Sequence, residues 1–345
     1  MKSMGICLSL FIIVLSALPA PPAAGQVPPV RAASLDSLAR DISTLGYIPS
    51  GGEFAVLAAS SGWFGLISGV RLLPGNSAEL AELLEDTTGE QAYYGISTWS
   101  PGGDIVLVNA PAVTCWPVGV RPSVAENETV SFSLEGYWQL RKPEVAVGTP
   151  EMEIIDLYPD SSGRFGFRVD SEGVYWVEVM QQTEGGPSIE LLFPIISGGE
   201  ATDVFSGRLG PTGSSAGSPE EILDELNTLR AQKGIPELSR SAMLDWVAAC
   251  RAGNLAISGS VNHIDRVAGS LDQLMPPGIR VYGENIGKGR GYQEAWSMIL
   301  ISPFHLRTCL SGEYTRVGLA GAVECSSYQW QLVMVQVFSE GTVTE

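Results

Sequence analysis

Histidine is nearly absent from this chain: 345 residues contain two, His263 and His305. Chemistry that needs an imidazole, as a proton shuttle near neutral pH or as a neutral metal ligand, is confined to those positions. No His-Glu-x-x-His pair exists, which removes the helical zinc-protease motif. Charge is sparse and one-sided, with charged residues at 17 % and a net charge of −18. So acidic a chain repels phosphate backbones, which argues against nucleic acid as a partner. Long apolar runs are missing beyond the N-terminus, so no transmembrane segment is expected in the mature chain.

The one apolar run, Ile6 to Leu18, is too short to span a bilayer comfortably, and a short basic start, Met-Lys-Ser-Met-Gly, precedes it. Pro-Ala-Pro-Pro-Ala-Ala-Gly follows, so residues 1–25 read as a signal peptide with cleavage after Ala24 or Gly25. Cys7 opens the run and cannot be the lipid-bearing cysteine that follows such a run in lipoproteins. The mature protein is expected to be soluble and secreted or periplasmic, its net charge about −19 once Lys2 is removed. Four cysteines remain: Cys115, Cys250, Cys309 and Cys325. An expected strand separates the last two, and the spacings leave one disulfide and none equally open.

Turn formers are abundant. Gly 40 and Pro 22 predict a loop-rich fold, and a mature length of roughly 320 residues is ample for two or three cores. The fold class expected is multidomain α+β. A small α+β domain spans 33–118, with helices at Ser34–Leu45 and Glu79–Leu84. Its strands are Phe54–Ala59, Tyr93–Trp99 and Ile105–Asn109, the last two forming a hairpin around Ser-Pro-Gly-Gly-Asp. Residues 119–196 alternate over Thr129–Leu134, Arg164–Val169, Val174–Val179 and Ile189–Ile196, which predicts an immunoglobulin-like β-sandwich without a catalytic grouping. Residues 197–218 form a Gly/Ser/Pro linker. It holds Gly213-Ser-Ser-Ala-Gly217, a formal nucleophile-elbow pattern in the wrong setting. Gly287-Lys-Gly-Arg-Gly291 lacks the remainder of a phosphate loop.

Residues 219–345 form the last unit, expected to fold alone. Ser218, Pro219 and Glu221 make a capping box for a helix that Gly234 ends. Further helices are expected at Arg240–Ser258 and Tyr292–Leu300, and closing strands at Thr315–Glu324 and Gln329–Phe338. Together they predict a layered α-β-α sandwich. Each histidine lies 21 residues from Glu284, too far for one helix face, so only the fold can bring His263, Glu284 and His305 together.

Ordered motifs in this unit carry a family resemblance. They are Leu226-Asn227 with Arg230, Gly234-Ile-Pro-Glu-Leu238, Gly283-Glu-Asn-Ile286, Ser302-Pro-Phe-His305, Tyr314-Thr-Arg-Val-Gly318 and Val335-Gln-Val-Phe338. Residues 219–340 thereby resemble the CAP superfamily (cysteine-rich secretory proteins, antigen 5 and pathogenesis-related 1 proteins) in its bacterial SCP-domain form. The resemblance implies an α-β-α sandwich with a shallow cleft holding two histidines and two acidic residues. In several members the histidines bind a divalent metal. His263, Glu284 and His305 match three of these positions. The fourth acidic position falls on Ser302, and the tryptophan that normally precedes it falls on Ile299. Trp296, one turn earlier, can replace the ring, and Glu294 is the nearest carboxylate, off the family position. Upstream, Phe165–Val169, Gly173–Val179 and Pro187–Pro194 resemble the N-terminal halves of bacterial secreted SCP proteins.

On this resemblance the expected function is that of an exported, non-catalytic binding protein with a metal-competent cleft, its ligand a lipid, a protein or a cell-envelope component. Zinc or another divalent ion is the expected cofactor, held by His263 and His305. Two alternatives are a metal-dependent hydrolase or protease with Glu284 as its acid/base, and a structural envelope protein with a vestigial cleft. In the plainest reading, Glu284 binds backbone amides and orients one histidine.

Overall fold

The computed structural model describes residues 30–341 except 46, 48, 50, 68, 74–92, 99–102, 111–112, 199–216, 260, 266–268, 280 and 326–329. The expected signal peptide, the expected helix at Glu79–Leu84, most of the expected Ser100–Asp104 turn and nearly all of the expected 197–218 linker lie outside the described residues. The architecture is mixed α and β, with several sheets in chain order.

The first sheet contains β1 (Val30–Arg31), β2 (Gly69–Leu73), β3 (Tyr93–Thr98) and β4 (Ile105–Ala110) in the order β1-β3-β4-β2, and β3 and β4 pair antiparallel as expected. Helix α1 (Ala33–Leu45) lays Leu35, Leu38, Ala39 and Ile42 on it, all fully buried at helical spacing. The expected strand at Phe54–Ala59 is instead α2, a helix over Gly51–Ser60. An apolar run buried on two sides shows no period that separates helix from strand. Here Ala58 with Phe54 and Leu57 faces the first core, and Val56 with Ala55 faces a second. Three alanines and a ten-residue length suit the helix.

The middle unit has two sheets. One orders β10 (Arg164–Arg168), β7 (Thr129–Glu135) and β5 (Trp116–Val118). The other orders β6 (Ser123–Val124), β12 (Gly186–Ser197), β11 (Gly173–Thr183), β8 (Glu144–Gly148) and β9 (Ile154–Leu157). Between them lies one core in which Phe132 and Phe165 from the first sheet meet Tyr175, Val177, Val179 and Phe193 from the second. The turn at Asp170–Gly173 carries the chain from one sheet to the other, and the Tyr175 hydroxyl accepts the Asp170 and Ser171 amides at 3.2 and 3.1 Å to brace it. The other face of β11 is covered too. Trp176 is 8 % exposed and Glu178 0 %.

The C-terminal sheet orders β13 (Ser239–Arg240), β17 (Arg316–Cys325), β18 (Trp330–Ser339) and β16 (Tyr282–Gly289). A short ladder pairs β14 (Ile264–Asp265) with β15 (Gly269–Ser270). Helix α3 (Pro219–Gln232) opens on the expected cap, with Ser218 Oγ accepting the Glu221 amide at 3.2 Å. Helix α4 (Ala242–Ser258) packs on the sheet face carrying Val333, Val335 and Val337. Helices α3, α5 (Tyr292–Leu300) and α6 (Pro303–Cys309) pack on the face carrying Met334 and Phe338. Alternate residues of β18 thus face helices on both sides, which is an α-β-α sandwich. Helix α6 begins within the Ser302-Pro-Phe-His305 motif, where no helix was expected.

One further cluster joins the three regions. Val56 of α2, Trp176 of β11, Leu192 and Ile196 of β12, and Ile301 after α5 are buried together, with Met298 against them. At ~25 cal/mol per Å² of apolar area, burying several large side chains stabilises such a contact by several kcal/mol.

Candidate functional site: a histidine pair held by buried ions

The fold brings His263, Glu284 and His305 together. His263 lies between α4 and β14, Glu284 on β16, and His305 in the first turn of α6. His263 Nδ1 and Glu284 Oε2 are 2.8 Å apart, and the two imidazole centroids are 6.5 Å apart.

A residue the sequence reading passed over organises one side. Arg251, on α4 and 0 % exposed, donates Nε to Glu284 Oε1 at 2.8 Å. Its Nη1 reaches Gly269 O at 2.9 Å, and its Nη2 reaches Asn262 O at 2.9 Å and His263 O at 2.7 Å. Both Glu284 oxygens are therefore committed, one to Arg251 and one to the His263 ring. The plainest reading expected backbone amides as partners of Glu284; those found are two side chains. If the ring donates Nδ1–H to the carboxylate as a neutral imidazole, Nε2 keeps its lone pair.

His305 is set from the ends of its helix. Ser302 caps α6, its Oγ accepting the His305 amide at 3.2 Å. The same hydroxyl donates to Glu178 at 2.9 Å, and the Phe304 amide donates to Glu178 at 3.0 Å. At the other end Arg230, also 0 % exposed, donates to Cys309 O at 2.7 Å and Ser311 O at 2.9 Å. The guanidinium at the C-terminus complements the helix dipole, and Glu178 satisfies an otherwise unpaired amide at the N-terminus. Asn285, next to Glu284, ties the middle of the helix through Nδ2 to His305 O at 3.1 Å.

Burial, with the His263 ring adding a smaller part, lowers the His305 pKa to about 3, so this imidazole is neutral at ordinary pH. Its Nδ1 is buried without a hydrogen-bond partner. Burial raises Glu178 to about 7 against the opposing pull of the Phe304 amide, Ser302 and Arg307. Of the other residues considered in sequence, Ser302 is buried at 1 % exposure, and Trp296 and Ile299 lie in the helix-packing core. Glu294 is not brought to the pair. Its carboxylate accepts the Arg290 amide at 2.9 Å and Nε at 2.8 Å. Cys115, Cys250 and Cys309 are free thiols.

For a metal, the donors are two imidazoles, whose chemistry suits zinc. Their spacing is wide. With Zn–N bonds of ~2.0 Å, two rings sharing a tetrahedral ion have centroids about 5 Å apart, so these would close by about 1.5 Å. Among the described residues no group of three or more His, Cys, Asp or Glu side chains is placed to hold a metal ion.

The profile of the cysteine-rich secretory protein family, CAP, matches residues 223–338. No curated protein matches the chain. Similar solved structures include an outer surface protein from Borrelia burgdorferi, at 16 % identity and TM-score 0.31, covering 36 % of this chain and 92 % of that one. An extracellular protein containing a SCP domain, from Bacillus anthracis, is 15 % identical at TM-score 0.31, covering 78 % and 94 %. A cysteine-rich secretory protein from Staphylococcus aureus is 13 % identical at TM-score 0.27, covering 85 % and 94 %. The α-β-α layers and the profile define the class: the C-terminal part of this chain is a CAP superfamily domain.

Proposed function

We propose that this chain is an exported, non-catalytic binding protein whose CAP domain takes its ligand at a cleft competent for a divalent ion, held by His263 and His305. The observation that carries the reading is the commitment of Glu284. With one oxygen on Arg251 and the other on His263, it is engaged in orienting a ligand-bearing ring. A divalent ion, zinc by the donor set, would supply a Lewis-acidic contact for an oxygen of the ligand. His263 offers Nε2, and His305 stays neutral because of its burial. Export rests on the N-terminal signal pattern. The middle unit, read as an immunoglobulin-like module over 119–196, and the α+β unit over 33–118 complete the extracellular or envelope-facing chain. Its ligand is a lipid, a protein or a cell-envelope component.

Calorimetric titration of the mature chain with zinc tests this. One ion per chain is expected, lost in His263→Ala and His305→Ala with the fold retained by circular dichroism. No peptidase or esterase activity above a metal-free control is expected. A chelator-sensitive hydrolysis that disappears in Glu284→Gln would establish the hydrolase instead.

A further inference from the structure

Both histidine-bearing segments are anchored to one hairpin of a different unit. On the His305 side, the residue next to the histidine, Phe304, donates its amide to Glu178 of β11 at 3.0 Å. Ser302 donates its hydroxyl to the same carboxylate at 2.9 Å while accepting the His305 amide. On the His263 side, again the adjacent residue makes the contact: Ile264 donates its amide to Gly185 O at 2.8 Å. Gly185 and Gly186 form the tip between β11 and β12, and Thr183 Oγ1 braces that tip by donating to Gly186 O at 2.9 Å. The tip fits tightly, since a Cβ on Gly186, whose φ is +89°, would lie 3.2 Å from His263 Cβ. An ion pair of Arg307 on α6 with Asp156 on β9, and the apolar cluster around Trp176 and Ile301, hold the two units in this register.

A spacer would meet the CAP domain away from its cleft. Here the contacts fall on the immediate neighbours of the only two histidines in the chain, and the carboxylate involved is fully buried. The resemblance puts an acidic residue at position 302. This chain has serine there, and that serine reaches a carboxylate from the middle unit.

Resting on the reading of His263 and His305 as one binding site, we infer that the site is built by two domains. The β11–β12 hairpin is its positioning element, with Glu178 the positioning residue for His305 and the Gly185–Gly186 tip performing the same task for His263. The ligand class is unchanged, a divalent ion at the imidazole pair. The new element is that the middle unit sets the ring spacing on which its capture depends.

The test uses the full mature chain, labelled with ¹⁵N, with zinc as the probe. Glu178→Ala removes both acceptors, whereas Glu178→Gln keeps one oxygen that can serve the Ser302 hydroxyl and the Phe304 amide. Substitutions behind metal-bound histidines weaken capture by about 10- to 100-fold, so Glu178→Ala is expected to bind zinc about tenfold or more weakly and Glu178→Gln within about threefold of the parent. The imidazole ¹⁵N resonances of His305 should move in Glu178→Ala and stay in Glu178→Gln. A folded Glu178→Ala chain with parental affinity and unmoved His305 resonances overturns the inference. If Glu178→Ala does not fold, Gly186→Ala decides, since its methyl presses on His263: displaced His263 resonances support the inference and unmoved ones overturn it. A parental chain that takes up no zinc refutes the binding reading alone, and the ring resonances of the same variants then decide the inference without the metal.

Discussion

Replacing Arg251 by leucine tests whether the buried ions organise the cleft. The guanidinium is 0 % exposed and donates to the Glu284 carboxylate and to the carbonyls of Gly269, Asn262 and His263. Removing it leaves Glu284, whose side chain is 5 % exposed, as a buried carboxylate facing only His263. Breaking a buried pair from one side costs about 3–5 kcal/mol, chiefly because the remaining charge is uncompensated. The three carbonyls add little beyond this, since losses within one network overlap. The expected loss is therefore ~4 kcal/mol, read as a lower urea midpoint of the mature chain. Faster exchange of the Ile264 amide should accompany it, because the carbonyls of Asn262 and His263 lose their anchor. The double variant Arg251→Leu/Glu284→Gln removes the stranded charge and should recover about 2 kcal/mol of that loss. A loss under about 1 kcal/mol in Arg251→Leu, or no recovery in the double variant, would refute the reasoning.

Two further outcomes follow from burial. Glu178 holds its proton up to about pH 7 when folded, whereas the unfolded side chain loses it near 4.5, so the folded state binds more protons between those values and stability falls as pH rises through that window. A displacement of ~2.5 pH units corresponds to about 3 kcal/mol, which the non-titrating Glu178→Gln should abolish. In chelator-treated protein His305 works in the opposite sense, being neutral when folded down to about pH 3, so stability rises with pH toward 6.5. Melting temperatures across pH 4–8 should therefore climb more steeply in Glu178→Gln than in the parent, and identical profiles would contradict the assignment. Among the three described thiols, Cys115 and Cys309 are buried, with burial raising each to about 12, whereas Cys250 is partly exposed. Iodoacetamide should label Cys250 before Cys115 and Cys309 in the native chain, and equal labelling of Cys309, followed by peptide mass, would show that α6 opens readily.

What could be read from the sequence was local. The cap at Ser218 and Glu221 spans three residues, and the alternation of Val130, Phe132 and Leu134 lies within one strand. Their physics is complete within a few residues. Helix α6 carries the same signature as α3, a serine cap followed by proline, and would have been found by applying that rule a second time. The convergence of His263, Glu284 and His305 came through family resemblance, since no periodicity links positions so far apart. Glu178 and Arg251 left no such trace. Their partners lie 124 and 33 residues away, and a glutamate in an alternating strand ordinarily marks a solvent face. In β11 that expectation fails because the second face of the sheet is also covered.

That covered face sets the order in which the molecule can be completed. Synthesis delivers β11 and β12 more than a hundred residues before Ile301, Ser302 and Phe304 exist. Until then α2 shields part of the face, while Trp176 stays partly bare and Glu178 remains hydrated, free to ionise as any surface carboxylate. Only when the last third of the chain arrives does the glutamate leave water, in the same step that seats the His305 helix. Burial of Glu178 and seating of the His305 helix are one contact, so a chain cut short before residue 302 would expose an apolar face with no histidine pair beside it.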